Sequence, residues 1–143
     1  MLINIITPCS RPYNLQFIEK SINIPPDMYR WIVVHDSDEI PQNYASFGEA
    51  YNLKDVNSRM GNAQRNLALS KVKSGWIYFN DDDTTLHKDF WEAVKFFIGA
   101  NDVDFISFKQ NWTDGSIRLM GNTIQLNHID SHNFLFNSEL LGD

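Results

Sequence analysis

Three apolar runs, each of which breaks off into polar or acidic residues, constrain this chain more than anything else in it. Leu2–Thr7 runs into Pro8-Cys9-Ser10-Arg11, Trp31-Ile32-Val33-Val34 into His35-Asp36-Ser37-Asp38, and Trp76-Ile77-Tyr78-Phe79 into Asn80-Asp81-Asp82-Asp83. Short continuous runs rich in β-branched and aromatic residues read as buried strands. Between the first two, Leu15, Ile18 and Ile22, with Phe17 alongside, recur at helical spacing behind Asn14 as a cap, until Pro25-Pro26 forbids continuation. Between the second and third, Ala63, Leu67, Ala68 and Val72 predict a helix from Asn62 that stops near Ser74-Gly75. Strand, helix and strand in alternation predict an α/β three-layer core in which the three strands lie side by side. In open sheets of this kind ligands bind beyond the carboxyl ends of the parallel strands, so the three polar segments are expected to meet at one cleft.

The remaining pattern adds elements around that core. Residues 37–58 are polar and predict mostly connection, with one short strand around Ala45–Phe47. Thr85 or His87 opens a further helix with Phe90, Trp91, Val94, Phe97 and Ile98 on its apolar face. Val103–Phe108 alternates like a strand with one wet side, Ile117–Leu119 and Ile124–Leu126 read as a hairpin about Gly121-Asn122, and Phe134–Phe136 is a last strand. This strand-rich end predicts antiparallel additions at one edge of the sheet.

Composition limits the function classes. The 143 residues suit one domain that buries roughly 68–70% of its unfolded surface without staples. The single Cys9 excludes a disulfide scaffold or a multi-cysteine zinc site, suits a reducing compartment, and reads as a buried, inert thiol. With 12 Lys and Arg against 18 Asp and Glu, a net charge of −6, nucleic acid is not an expected partner. The N-terminus has no basic region and no apolar run reaches membrane-spanning length, which predicts no membrane span and a cytoplasmic protein. The sequence neither requires nor excludes a homo-oligomer.

An acidic protein that binds an anion needs placed arginines or a divalent cation. Three successive carboxylates, Asp81-Asp82-Asp83, repel one another, and a hard cation such as Mg²⁺ or Mn²⁺, bridging one or two of them to substrate phosphates, removes the conflict. The same acids in a turn ahead of a helix would stabilise its dipole by about 0.3–1 kcal/mol each, and both readings stand at this point. Arg59 and Arg65, near the start of the second long helix, suit a diphosphate or a base carbonyl, or are surface arginines. Arg11 and Asp36 sit at strand ends, where a local ion pair or a turn cap is the plainer role. Asp130 and His132 precede the last strand and suit a polar substrate, although a satisfied loop histidine is the commoner outcome. Trp31, Trp76 and Trp91 fit the core, whereas Trp112, in a polar loop, suits a sugar-stacking platform.

With these residues in view, the chain resembles the GT-A glycosyltransferases. It is similar to the large inverting family 2 and, more pointedly, to the β-1,3-glucuronyltransferases of family 43. The resemblance is carried by Ile6-Thr7-Pro8-Cys9-Ser10-Arg11-Pro12, Trp31-Ile32-Val33-Val34-His35-Asp36-Ser37, Gln64-Arg65-Asn66-Leu67-Ala68-Leu69 and Gly75-Trp76-Ile77-Tyr78-Phe79-Asn80-Asp81-Asp82-Asp83-Thr84, in matching order across residues 3–97. It implies a mixed, Rossmann-like three-layer sheet and a metal-dependent transfer of sugar from a nucleoside diphosphate, UDP by expectation, to a glycan or other hydroxyl acceptor. Pro8, Ser10 and Arg11 would then lie on the nucleotide, Asp36 on its uracil or ribose side, Arg59 and Arg65 on base and phosphates, and Asp81 and Asp82 on the ribose side. Asp83 would coordinate Mn²⁺ or Mg²⁺. Weaker resemblance through His128–Phe134 implies that Asp130 meets the acceptor, and His132 and Trp112, from their own chemistry, are expected on the same acceptor side.

The chain departs from the family pattern in three places. Its first loop is one residue shorter than in the glucuronyltransferases and has Cys9-Ser10 where they have an aromatic residue, and the stretch from Arg59 to Arg65 is one residue longer. In relatives the general base comes from an acidic segment after the strand matching Phe134–Phe136, which predicts a C-terminally truncated domain. Asp130, Glu139 and Asp143 are the acids left as stand-ins, or a second subunit supplies the base. Two alternatives follow: a domain that binds nucleotide sugar or glycan without catalysis, and a nucleotidyltransferase, against which the glycine-free loop Thr7–Pro12 counts.

Overall fold

The computed structural model of the protein describes residues 2–42, 48–57, 60–100, 102–122, 125 and 130–142. Its centre is a six-stranded sheet built from β1 (Ile3–Cys9), β2 (Tyr29–His35), β3 (Glu49–Asn52), β4 (Trp76–Phe79), β5 (Phe105–Ser107) and β8 (Phe134–Asn137), in the order β3-β2-β1-β4-β8-β5. The three apolar runs lie side by side as expected: β1 pairs in parallel with β2 on one side and β4 on the other, and β3 extends the parallel set beyond β2. β8 runs antiparallel to β4 and to β5, which makes the sheet mixed at that edge. Gln110–Asn111 (β6) and Ile117–Leu119 (β7) form a separate hairpin.

Alternation along β1 divides the core in two. Ile3, Ile5 and Cys9 join Trp31, Val33 and Trp76 beneath α1 (Leu15–Ser21) and α3 (Phe90–Ile98), whose Leu15, Ile18, Phe90, Val94 and Ile98 are buried there. Ile6, Ile32, Val34 and Ile77 face the other way, against Ala68 of α2 (Asn62–Leu69). The result is a helix-sheet-helix sandwich. Trp31 and Trp76 are buried and Trp91 packs against the first cluster, and both buried indoles donate, to Thr7 Oγ1 at 3.0 Å and to the Ile98 carbonyl at 3.2 Å.

Two local readings change, and two fall wholly or mostly outside the described residues. β1 continues through Pro8 to Cys9, because its pairing with β4 has already ended at Ile6 and a missing N–H costs nothing on that side. Asn14 does not cap α1. A single 3-10 turn, Pro12–Asn14, leads into the helix, and the Asn14 amide donates instead to the Asp82 carbonyl at 2.9 Å. The expected strand around Ala45–Phe47 lies outside the described residues, and the edge strand that is described is Glu49–Asn52. β7 pairs with the upstream Gln110–Asn111, and most of its expected partner Ile124–Leu126 lies outside the described residues. In the upstream turn, Asp114 Oδ1 accepts from the Ser116 N–H and hydroxyl at 2.8 and 2.6 Å. Gly121 is spent elsewhere: at φ +66° its backbone lies so close to Phe108 that a Cβ would come within 2.3 Å of the carbonyl oxygen.

Candidate functional site

The parallel register brings the ends of β1, β2 and β4 to one edge, tied by Asp36 N–H to the Cys9 carbonyl at 2.8 Å and Asn80 N–H to the Ile6 carbonyl at 2.9 Å. A cleft of about 390 Å³ opens there. Its walls come from Pro8, Cys9, Ser10 and Arg11 at the end of β1, Asp36 after β2, Asp55 beyond β3, Met60, Gly61, Gln64 and Arg65 around the start of α2, and Asp81 and Asp82 after β4. Every described residue expected to meet a nucleotide lines this cleft, namely Pro8, Ser10, Arg11, Asp36, Arg65, Asp81 and Asp82, while Arg59 lies outside the described residues.

The three aspartates differ sharply in what they do. Asp82 is 3% exposed, and its carboxylate folds the first loop around itself: Oδ2 accepts the Ser10 and Arg11 N–H groups, both at 2.8 Å, and Oδ1 accepts Arg11 Nε at 2.9 Å and Nη2 at 2.5 Å. Asp81 turns the other way, to Arg65 Nη2 at 2.6 Å from Oδ1 and to the His132 ring on its Oδ2 side. Asp83 stands at the rim with its side chain 53% exposed, 3.2 Å from Arg11 Nη2, and accepts a long bond of 3.3 Å from the Thr84 hydroxyl. The mutual repulsion expected of the triplet is thus relieved from within the chain, by Arg11 on one member and by Arg65 and His132 on another.

The antiparallel direction of β8 decides what else reaches the cleft. Leu135 pairs with Tyr78 and Asn137 with Trp76, so the residues before β8 arrive at the carboxyl end of β4 and those after it leave at the opposite edge. Asp130 and His132 are delivered to the cleft side. His132 Nε2 stands 2.6 Å from Asp81 Oδ2, close enough to pair but not aligned as a hydrogen bond, and Nδ1 stands 3.0 Å from Asp130 Oδ1. Asp130 also accepts the His132 N–H at 2.9 Å and Arg118 Nη1 from β7 at 2.6 Å. Trp112, on the hairpin, has the Arg118 guanidinium 5.4 Å from its ring centre, so the same arginine links it to Asp130. Glu139, in the 3-10 turn after β8, sits at the edge opposite the cleft, and Asp143 lies outside the described residues.

Titration follows this wiring. Burial disfavours charge on His132, yet Asp81 and Asp130 outweigh it and hold the imidazole above its ordinary value. Burial likewise opposes charge on Asp81 and Asp130, but His132 with Arg65 in one case, and the His132 backbone amide, His132 and Arg118 in the other, hold both carboxyls below theirs. Burial, reinforced by Asp82, pushes the Cys9 thiol up to about 12, so the cysteine that lines the cleft is not a nucleophile.

Sequence reasoning missed Arg118, which lies in a weakly patterned hairpin, and Gln64, which the family segment contains but periodicity makes merely helical. Among the described residues no three His, Cys, Asp or Glu side chains come together as a metal site, and no helix is long and apolar enough to cross a membrane.

No protein-family model matches the chain, and no curated protein matches it in sequence. Solved structures do match in shape. TarS 1-349 from S. aureus superposes with a TM-score of 0.74 at 19% identity, over 99% of this chain and 48% of that one. Its complex with UDP-GlcNAc gives 0.74 at 20%, over 99% and 46%. The mannosyltransferase PcManGT from Pyrobaculum calidifontis, in complex with GDP-Man and Mn²⁺, gives 0.67 at 14%, over 97% and 45%. The chain spans about half the length of these structures. At such identities the likeness is one of fold, and it agrees with the strand order and strand-end cleft: this chain has the three-layer α/β fold of the GT-A-like glycosyltransferases.

Proposed function

We propose that this chain binds a nucleoside diphosphate sugar, UDP-linked, in the strand-end cleft, as the donor half of a metal-dependent glycosyltransferase akin to families 2 and 43. The observation that carries the reading is the division of labour among Asp81, Asp82 and Asp83. Two are consumed in building the cleft, and the third is left at its rim, half exposed and beside Arg11.

A cation seat made of protein ligands alone is absent among the described residues, but Mg²⁺ and Mn²⁺ do not need one: they take one or two carboxylates and complete their shell with phosphate oxygens and water. Asp83 fits that role and would hold the ion. When bound, Mn²⁺ or Mg²⁺ neutralises the charge that develops on the departing diphosphate. The chain's own residues do the rest. Asp82 fixes the loop that presents the Ser10 and Arg11 side of the cleft, Arg65 offers the cation nearest the start of α2 while pinned to Asp81, and Asp36 faces the nucleoside. Arg59 keeps its proposed place on base and phosphates.

On the acceptor side we place Asp130, His132 and Trp112. A carboxyl held low by an amide, an imidazole and a guanidinium is a weak base toward an acceptor hydroxyl. That observation favours a second reading in which the chain alone binds the donor without transferring it.

Calorimetric titration of UDP with Mn²⁺ and again with chelator tests the donor site. Affinity should fall at least tenfold when the metal is removed. Equal affinity in both titrations would take Asp83 and the metal out of the reading.

A further inference from the structure

The described lining of the cleft sets two arginines, Arg11 and Arg65, against four aspartates, Asp36, Asp55, Asp81 and Asp82. Both arginines are already paired, Arg11 with Asp82 at 2.5 Å and Arg65 with Asp81 at 2.6 Å. A diphosphate competes with these carboxylates for each guanidinium, so a second cation on either aspartate releases part of an arginine's charge to the ligand. Asp81 has such a cation in His132.

The imidazole that supplies it is held from behind. Its Nε2 stands 2.6 Å from Asp81 Oδ2, and its Nδ1 stands 3.0 Å from Asp130 Oδ1. A carboxylate at each ring nitrogen suits only the doubly protonated ring, because a bare nitrogen would repel the oxygen it faces. The other oxygen of Asp130, Oδ2, accepts from Arg118 Nη1 at 2.6 Å, and the same Nη1 donates to Gln110 Oε1 across the β6–β7 hairpin. Charge therefore alternates along Arg65, Asp81, His132, Asp130 and Arg118, and each carboxylate is shared by two cations. The Arg65 side chain is 13% exposed and that of Arg118 40%, so the relay runs from the cleft wall out to β7.

We infer that Arg118 is a positioning residue of the nucleotide site: by holding Asp130 it fixes the His132 imidazole against Asp81, and so keeps charge on Arg65 available to the diphosphate. The inference rests on the nucleotide-site reading above and adds to it a residue that acts from outside the cleft.

The test is calorimetric titration of inorganic pyrophosphate with Mn²⁺ into wild type, Arg118→Met, Arg118→Lys, His132→Gln and the double variant of Arg118→Met with His132→Gln, each checked by a thermal melt. Should Arg118→Met fail to fold, Arg118→Gln takes its place. Arg118→Met should weaken pyrophosphate about fivefold, the size of effect a network residue exerts without touching the ligand. Arg118→Lys, which keeps a cation beside Asp130, should recover most of that loss. Once His132→Gln has cut the path, adding Arg118→Met should change affinity by less than about twofold. Unchanged affinity in Arg118→Met, no recovery by Arg118→Lys, or a full effect that persists without His132 overturns the role of Arg118 and leaves the nucleotide site standing. Failure of pyrophosphate and UDP alike to bind wild type removes the nucleotide site itself, and the role of Arg118 with it.

Discussion

Replacing Asp82 by alanine separates a residue that builds the cleft from one that binds in it. The carboxylate holds two backbone N–H groups at 2.8 Å and two nitrogens of Arg11, at 2.9 and 2.5 Å, and is itself 3% exposed. Its loss leaves both amides without an acceptor. An unpaired buried donor costs about 1–3 kcal/mol, and because Ser10 and Arg11 are within reach of water the lower end applies, about 1 kcal/mol for each amide. The Arg11 side chain is 43% exposed and recovers most of its hydration, so the broken ion pair adds about 1 kcal/mol and not the larger figure of a fully buried pair. The expected destabilisation is therefore about 3 kcal/mol. With an unfolding entropy of about 2.1 cal/mol/K per residue over 143 residues, that corresponds to a fall of about 10 °C in Tm. Urea denaturation followed by tryptophan fluorescence, with calorimetry for Tm, measures both. A loss below about 1 kcal/mol, together with collapse of UDP affinity, would refute the reasoning and make Asp82 a ligand of the nucleotide.

Asp83→Ala is the counterpart: with the side chain 53% exposed and one contact of 3.2 Å to Arg11, stability should change by less than about 0.5 kcal/mol while the Mn²⁺-dependent part of UDP binding disappears. Substantial unfolding would make Asp83 structural. His132→Gln should flatten one limb of the pH–stability profile. Although burial opposes it, the imidazole's folded-state value is raised above 6.5 by Asp81 and Asp130, so its stabilisation is whole below that pH and is lost as pH rises through the folded value. Burial lowers the value for His35, whose contribution runs the opposite way and is lost as pH falls. The difference between wild type and His132→Gln in urea midpoint, followed from about pH 6 to 9, isolates His132 and should shrink with rising pH. A constant difference would mean that the imidazole is neutral in the folded protein.

The central strands were legible because their cause is local. Ile3 to Ile6, Trp31 to Val34 and Trp76 to Phe79 carry few polar groups, so each must be covered on both faces, and only the middle of a parallel sheet does that. The helices followed from period, apart from their ends. Asn14 looks like a cap from its neighbours in the chain, but an aspartate loop 68 residues away offers its amide a carbonyl to bond. The same limit applied to Glu139, a late acid like any other until the direction of β8 carried it away from the cleft.

What the amino-acid sequence determined by itself is the alternation of buried strands and amphipathic helices and the convergence of three polar strand ends. Periodicity and burial settle these within a dozen residues. Only the tertiary structure distinguished Asp81, Asp82 and Asp83, joined Arg118 to the cleft through Asp130 and His132, and left Gln64 with an unpaired oxygen. A carboxylate or an amide takes its role from whichever donors the fold brings to it, and those donors lie far away along the chain.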